Sequence, residues 1–288
     1  MALQNYPNLE YFIIDAGSTD GTRSVIERHS QWITSWVSEP DRGQAHAVNK
    51  GWSQASGDIL GWLNSDDLLA PGALEYTASV FQINADCIAL VGRTTITDRY
   101  LNAILTKDSY RLDTDRILRG ASMPGQPSVF IRRSAFETQG GLDEAFHYSL
   151  DREYWLRLSR AYSPEQFHYT DSVLSIAREY VGNKSSLGGK SQARERLAIL
   201  DKAFSDPNLP PPLVALREEA YGRTKMRIAS LASMAGRPVD AWRAAISSWP
   251  HQPTLGNLFR VALLCVKAAS PIKRTRRSLF TETSADPK

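Results

Sequence analysis

Short apolar runs punctuate the first half of the chain: "YFIID" at 11 to 15, "ITSWVSE" at 33 to 39 and "DILGWL" at 58 to 63. The last is apolar at successive positions, which reads as a strand covered on both faces, as in a parallel sheet. Between these runs the period changes to that of a helix. After the turn "AGSTDGT" the segment "TRSVIERHS" reads as helical, with Gly17 and Gly21 allowing tight backbone and Ser18, Thr19 or Asp20 available as N-cap. After "PDRG", Ala45, Val48, Trp52 and Ala55 fall on one helical face, and Pro71 reads as the first position of a further helix. Strand and helix alternate, which predicts an α/β fold built on a mostly parallel sheet.

Beyond residue 85, "DCIALVGRTTIT" and "QPSVFIRR" read as further strands, and "SLDREYWLRLSRAY" (149 to 162) as a helix with Leu150, Tyr154 and Leu158 on one stripe. From about residue 190 the pattern is helical throughout, broken only by Pro and Gly. A boundary near Ser191 therefore divides an α/β domain, 1 to 190, from a helical C-terminal extension, 191 to 288. Within the extension, "MAGRPVDAWRAAISSWP" resembles half of a tetratricopeptide unit, but one unit cannot bury its own face.

With 288 residues, 42% apolar and 23% charged, the composition is that of an ordinary globular protein. Cys87 and Cys265 lie far apart and form no zinc-type spacing, which predicts a reducing, cytoplasmic setting. The net charge of +3 is too small to argue for nucleic acid, but it is unevenly placed. From Leu258 to Lys288 seven Lys/Arg face two acids, a surplus of five that leaves the rest of the chain at −2. No segment reaches the roughly 20 apolar residues of a membrane span, and "MALQNYPNLE" does not read as a signal peptide.

Three of the predicted strands end in polar clusters on what should be one edge of the sheet. Asp15 closes the first, Asp41 and Arg42 follow the second, and Asp66 and Asp67 follow the third. Any one such acid is more simply a turn residue or helix cap. Three together point to a site, because ligands of open parallel sheets bind beyond the strands' carboxyl ends. The residue types suit a sugar nucleotide: carboxylates to accept from nucleobase or ribose, Arg42 for a carbonyl or phosphate, and a hard cation between Asp67 and a diphosphate. Oxygen ligands favour Mg²⁺ or Mn²⁺ over zinc. "DAGSTDG" fails as a calcium loop because Gly17 and Thr19 stand at its third and fifth positions. Asp151, in the first turn of its helix, reads equally as a charge complementing the helix dipole, with Ser149 as N-cap, or as a general base.

"YPNLEYFIIDAGSTDGT", "SEPDRGQAHAVNKGWSQASGDILGWLNSDDLLAPGAL" and "PGQPSVFIRRSAFETQGGLDEAFHYSLDREYWLRL" resemble the family 2 inverting glycosyltransferases of GT-A fold, particularly bacterial non-processive members that make surface polysaccharides. The resemblance covers roughly residues 3 to 190. It implies that Asp15 and Arg42 contact the nucleoside, that Asp66 faces the donor ribose or phosphate, that Asp67 binds the metal and that Asp151 is the catalytic base. The Gln-x-x-Arg-Trp motif of processive synthases is absent, which implies transfer of a single sugar from a UDP-, GDP- or dTDP-sugar to a saccharide or lipid-linked acceptor.

The chain departs from the family in two places. Family members usually have a strand and a helix before the "YPNLEY" segment, and their absence here predicts open neighbouring edges and a weakened nucleobase pocket. Where many members have Arg-x-His, "AREYVGNKSS" keeps Arg178 but has Tyr180 at the histidine. The rival expectation is accordingly a catalytically impaired remnant acting as a binding or scaffold protein. The tail "LFRVALLCVKAASPIKRTRR" reads either as a packed helix with a solvated basic end or as a peripheral contact at the inner face of the cell membrane.

Overall fold

The computed structural model describes residues 1–180, 182–184, 189–234, 237–248 and 251. The strands are β1 (Phe12–Asp15), β2 (Ser35–Ser38), β3 (Ile59–Leu60), β4 (Leu68–Leu69), β5 (Ala89–Thr97), β6 (Ala103–Lys107), β7 (Val129–Arg132) and β8 (Phe167–Arg178). The helices of the α/β part are α1 (Thr22–Arg28), α2 (Gln44–Gln54), α3 (Ala73–Ile83), α4 (Thr114–Leu118), α5 (Arg133–Gln139) and α6 (Leu150–Ala161). After them come α7 (Gly189–Phe204), α8 (Pro211–Val214), α9 (Arg217–Met234) and α10 (Pro238–Ser248). The C-terminal basic segment and the helix expected at "TLGNLFRVALLCVKAA" lie outside the described residues.

The α/β class holds, but the strands pair differently from the expected mostly parallel sheet. β1 and β2 form a parallel pair of their own, and the other six make a sheet of order β3-β7-β5-β8-β4, with β6 on β5. In that sheet only β5 and β8 are parallel; β3–β7, β5–β7, β4–β8 and β5–β6 are antiparallel. The reason is three reversed strands, β7, β4 and β6. Because β7 runs against both β3 and β5, those two share a direction, and β8 shares it too. β1 and β2, parallel to each other, keep the relation the sequence predicts.

Side-chain alternation divides the core between the two faces of the six-stranded sheet. Ala89, Val91, Val129 and Ile131 join a cluster with α2 and α6, while Leu90, Phe130 and Leu174 meet Ala73, Val80 and Phe81 of α3. The helical face predicted for α2 is the buried one, and so is the Leu150, Tyr154, Leu158 stripe of α6. The first cluster also takes in Ile199, Leu200 and Ala203 of α7 and Ala220 of α9. One continuous core thus crosses the boundary expected near Ser191.

One helix start and one N-cap differ from expectation, each because a glycine takes the left-handed conformation just before the helix. α3 begins at Ala73, after Gly72 at φ 72°, so Pro71 lies outside it. α1 begins after Gly21 at φ 91°, leaving Asp20 to accept from the Thr22 backbone N–H (3.2 Å) and hydroxyl (2.6 Å). The long strand β8 escapes the sequence pattern because its middle, Asp171 to Val173, is polar or exposed.

Candidate active site

A cleft of about 1780 Å³ runs along β1 and β3 and past their carboxyl ends. Asp15, Asp66, Asp67 and Asp151 all line it, although 136 positions separate the first from the last. Arg42 does not. It is 67% exposed and turned toward Glu144, with Nε to Oε2 at 2.8 Å and a second guanidinium nitrogen to Oε1 at 3.0 Å. The nearby acid in the "GGLDEAF" loop, distant in sequence, has captured it. Its neighbour Asp41 faces the cleft and accepts from the Gly43 N–H at 2.7 Å.

Asp15 is engaged where it stands. Its carboxylate accepts from Gly17 N (3.1 Å), Ser18 N (2.9 Å), Ser18 Oγ (2.5 Å) and Ser38 Oγ (2.6 Å), four donors for about four lone-pair sites. Burial pushes its pKa up, but the Ser18, Ser38 and Gly17 donors outweigh this and hold the carboxyl below its ordinary value. In this conformation Asp15 organises the "AGSTDG" turn and stitches β1 to β2.

The Asp66–Asp67 turn is held from three sides. Arg178, at the end of β8, donates its backbone N–H to Asp67 Oδ1 at 3.1 Å and its Nε to the Asp66 carbonyl. Asn64 Nδ2 donates to Asp67 Oδ2 at 3.3 Å, and its own Oδ1 accepts from Gln44 Nε2 at 2.6 Å. Lys184 Nζ completes the chain on Gln44 Oε1 at 2.6 Å. Burial, and then the adjacent Asp66 charge, push the Asp67 carboxyl up to about 6 against the opposing pull of Arg178 and Asn64. Sequence reading missed Asn64, Gln44 and Lys184; the polar residue at the start of α2, just after "DRG", was the available signal.

No three His, Cys, Asp or Glu side chains converge as a ready-made metal cage among the described residues. The Asp66–Asp67 pair nevertheless fits a hard divalent cation. Mg²⁺ is commonly held by one or two carboxylates with the remainder supplied by water and substrate phosphates. A buried carboxylate pushed up by a like-charged neighbour is relieved by a cation.

Asp151 stands in the first turn of α6 with Ser149 at the N-cap position, and its Oδ1 accepts from the Arg152 N–H at 2.8 Å. Ser149 does not cap through its side chain. The preceding loop is held instead by Glu195 of α7, which accepts from His147 N (2.9 Å), Tyr148 N (2.7 Å) and Ser149 N (2.7 Å). The loop that leads into Asp151 is thus held by a residue of the helical C-terminal part.

Residues 1–140 match the family described as "Glycosyl transferase family 2". Over that stretch, just under half of its length, the chain is similar to that family. Among curated relatives, an uncharacterized glycosyltransferase of Rickettsia typhi is 24% identical over 168 residues, covering 56% of this chain and 52% of the relative. Chondroitin synthase of Escherichia coli is 27% identical over 160 residues, covering 54% of this chain and 23% of that protein. The chain spans about half the length of the first of these relatives. Among solved structures, S. aureus TarS 1-349 in complex with UDP-GlcNAc has a TM-score of 0.61 at 16% identity, covering 92% of this chain and 79% of that one. The mannosyltransferase PcManGT from Pyrobaculum calidifontis, in complex with GDP-Man and Mn2+, has a TM-score of 0.52 at 19% identity, covering 93% and 80%. The chain therefore shares the GT-A fold of these neighbours, as the resemblance of its motifs implied.

Proposed function

We propose that this chain transfers a single sugar from a nucleotide-diphosphate sugar to a hydroxyl acceptor with inversion at the anomeric carbon, in the building of a cell-surface polysaccharide or glycolipid. The observation that carries this reading is the convergence of Asp66–Asp67 and Asp151, from two distant elements, on one cleft at the strands' carboxyl ends. Support comes also from the neighbours that bind UDP-GlcNAc, UDP and GDP-Man.

Asp151 accepts the proton of the acceptor hydroxyl, whose oxygen then bonds to the anomeric carbon as the bond to the diphosphate oxygen breaks. Attack from the face opposite the leaving group inverts the centre. Asp67, with Asp66 beside it, is the residue that would hold a divalent cation, which when bound supplies positive charge to the departing diphosphate. Asp66 faces the donor ribose or phosphate. Asp15 and Arg42 contact the nucleoside only by exchanging present partners, Ser18 and Ser38 for one and Glu144 for the other.

Calorimetry with UDP-, GDP- and dTDP-sugars, with and without Mn²⁺, tests the reading. One donor binds in a cation-dependent manner, Asp67→Asn removes the cation dependence, and Asp151→Asn retains binding while transfer falls by about 10²–10⁴-fold. Binding of none of the three classes overturns it.

A further inference from the structure

Three arginines crowd one wall of the cleft beside Asp151: Arg152 of α6, Arg196 of α7 and Arg227 of α9. Among the described residues none of the three lies within 4 Å of a carboxylate. Arg152, 5% exposed, spends its guanidinium on the Ile117 and Ala121 carbonyls at 3.0 and 2.7 Å. The Nε of Arg196 is buried without any hydrogen-bond partner. An unpaired buried donor on a charged group is costly, and two like charges beside it add to the cost. Burial, then the Arg152 and Arg227 charges, push Arg196 down to about 9, with Asp151 pulling the other way.

The groups that act on Asp67 are Asp66, Arg178 and Asn64, whereas those that act on Arg196 are Arg152, Arg227 and Asp151. Asp151 lines the same cleft as a carboxylate pair suited to a cation and an arginine cluster suited to an anion. We propose that Arg196 and Arg227, with Arg152 behind them, bind a phosphate ester carried by the acceptor, so that the hydroxyl presented to Asp151 belongs to a phosphorylated polyol or sugar. A phosphate offers three acceptor oxygens to guanidinium donors from several directions, which a lone carboxylate does not. The inference rests on the reading of Asp151 as the base and adds the chemical class of the acceptor.

Calorimetric titration of the full chain with glycerol 3-phosphate, glycerol and glucuronate tests it, with UDP plus Mn²⁺ as a separate arm. Glycerol 3-phosphate binds more tightly than either other probe. Arg196→Gln and Arg227→Gln each weaken it by about tenfold, while UDP affinity stays within about twofold of the wild type. Arg227 is exposed, so its variant folds even where Arg196→Gln does not. Glucuronate binding as tightly as glycerol 3-phosphate, or an Arg227→Gln chain that binds it like the wild type, overturns the proposal. A loss of UDP affinity as large as that of phosphate also overturns it, since the arginines then hold the donor diphosphate. Failure of UDP to bind the wild type removes the reading of the site itself, whereas UDP binding without phosphate binding removes only this inference.

Discussion

Trp62 and Trp155 stack with ring centroids 5.7 Å apart and planes inclined by 21°. Trp62 lies just before the Asp66–Asp67 turn and Trp155 one helical turn beyond Asp151, so this contact joins the two halves of the site. Trp52 of α2 completes the joint, edge-on to Trp62 at 5.4 Å and donating Nε1 to the Gly61 carbonyl at 3.2 Å. Aromatic pairs in such geometries add about 0.5–1.5 kcal/mol beyond burial, and they fix distances between rigid elements.

Trp155 is fully buried, and its Nε1 has no hydrogen-bond partner. Trp155→Ala leaves a large cavity and costs about 3–5 kcal/mol in chemical denaturation. Trp155→Phe forfeits no hydrogen bond and costs clearly less. A Trp155→Phe chain as unstable as Trp155→Ala contradicts the packing argument.

Glu195 is the acceptor for three consecutive backbone N–H groups at residues 147 to 149. Glu195→Ala strands donors in a partly buried loop, so denaturation shows a loss of about 1–3 kcal/mol. Turnover falls with it because Asp151 follows directly. Nucleotide affinity is retained, since the Asp66–Asp67 turn is held by other groups.

The pH dependence of the metal-free chain follows from Asp67. Its carboxyl titrates near 6 in the fold against an ordinary value of 3.8, so between those pH values the folded chain binds the proton more tightly than the unfolded one. Its stabilising contribution is complete below about 3.8 and is lost as pH rises through about 6. Melting curves without metal therefore show the wild type gaining on Asp67→Asn as pH falls from 7 to 5. A constant difference between the two rules out the shift.

Arg42 and Glu144 form an exposed ion pair, and exposed pairs contribute little. Arg42→Ala leaves the melting midpoint unchanged. A large drop would mean that the pair positions the "GGLDEAF" loop, whose anchor in the structure is Asn49, with Oδ1 accepting from Leu142 N at 2.7 Å and Nδ2 donating to the Leu142 carbonyl at 2.8 Å.

The sequence by itself determined the α/β class, the strands β1, β2, β3, β5 and β7, the helices α1, α2, α3 and α6 with the buried faces of α2 and α6, and the acids at the strand ends. These follow from local periodicity and from the position of ligands at strand carboxyl ends, both of which are written in neighbouring residues. Tertiary structure alone decided the reversed β7 and β4, the capture of Arg42 by Glu144, the bond from Ser38 to Asp15, and the grip of Glu195 and Arg178 on the two halves of the site. Each is a pairing across at least 23 positions, and a charged or polar side chain takes whichever partner the fold brings within about 3 Å. No spacing along the chain records that choice.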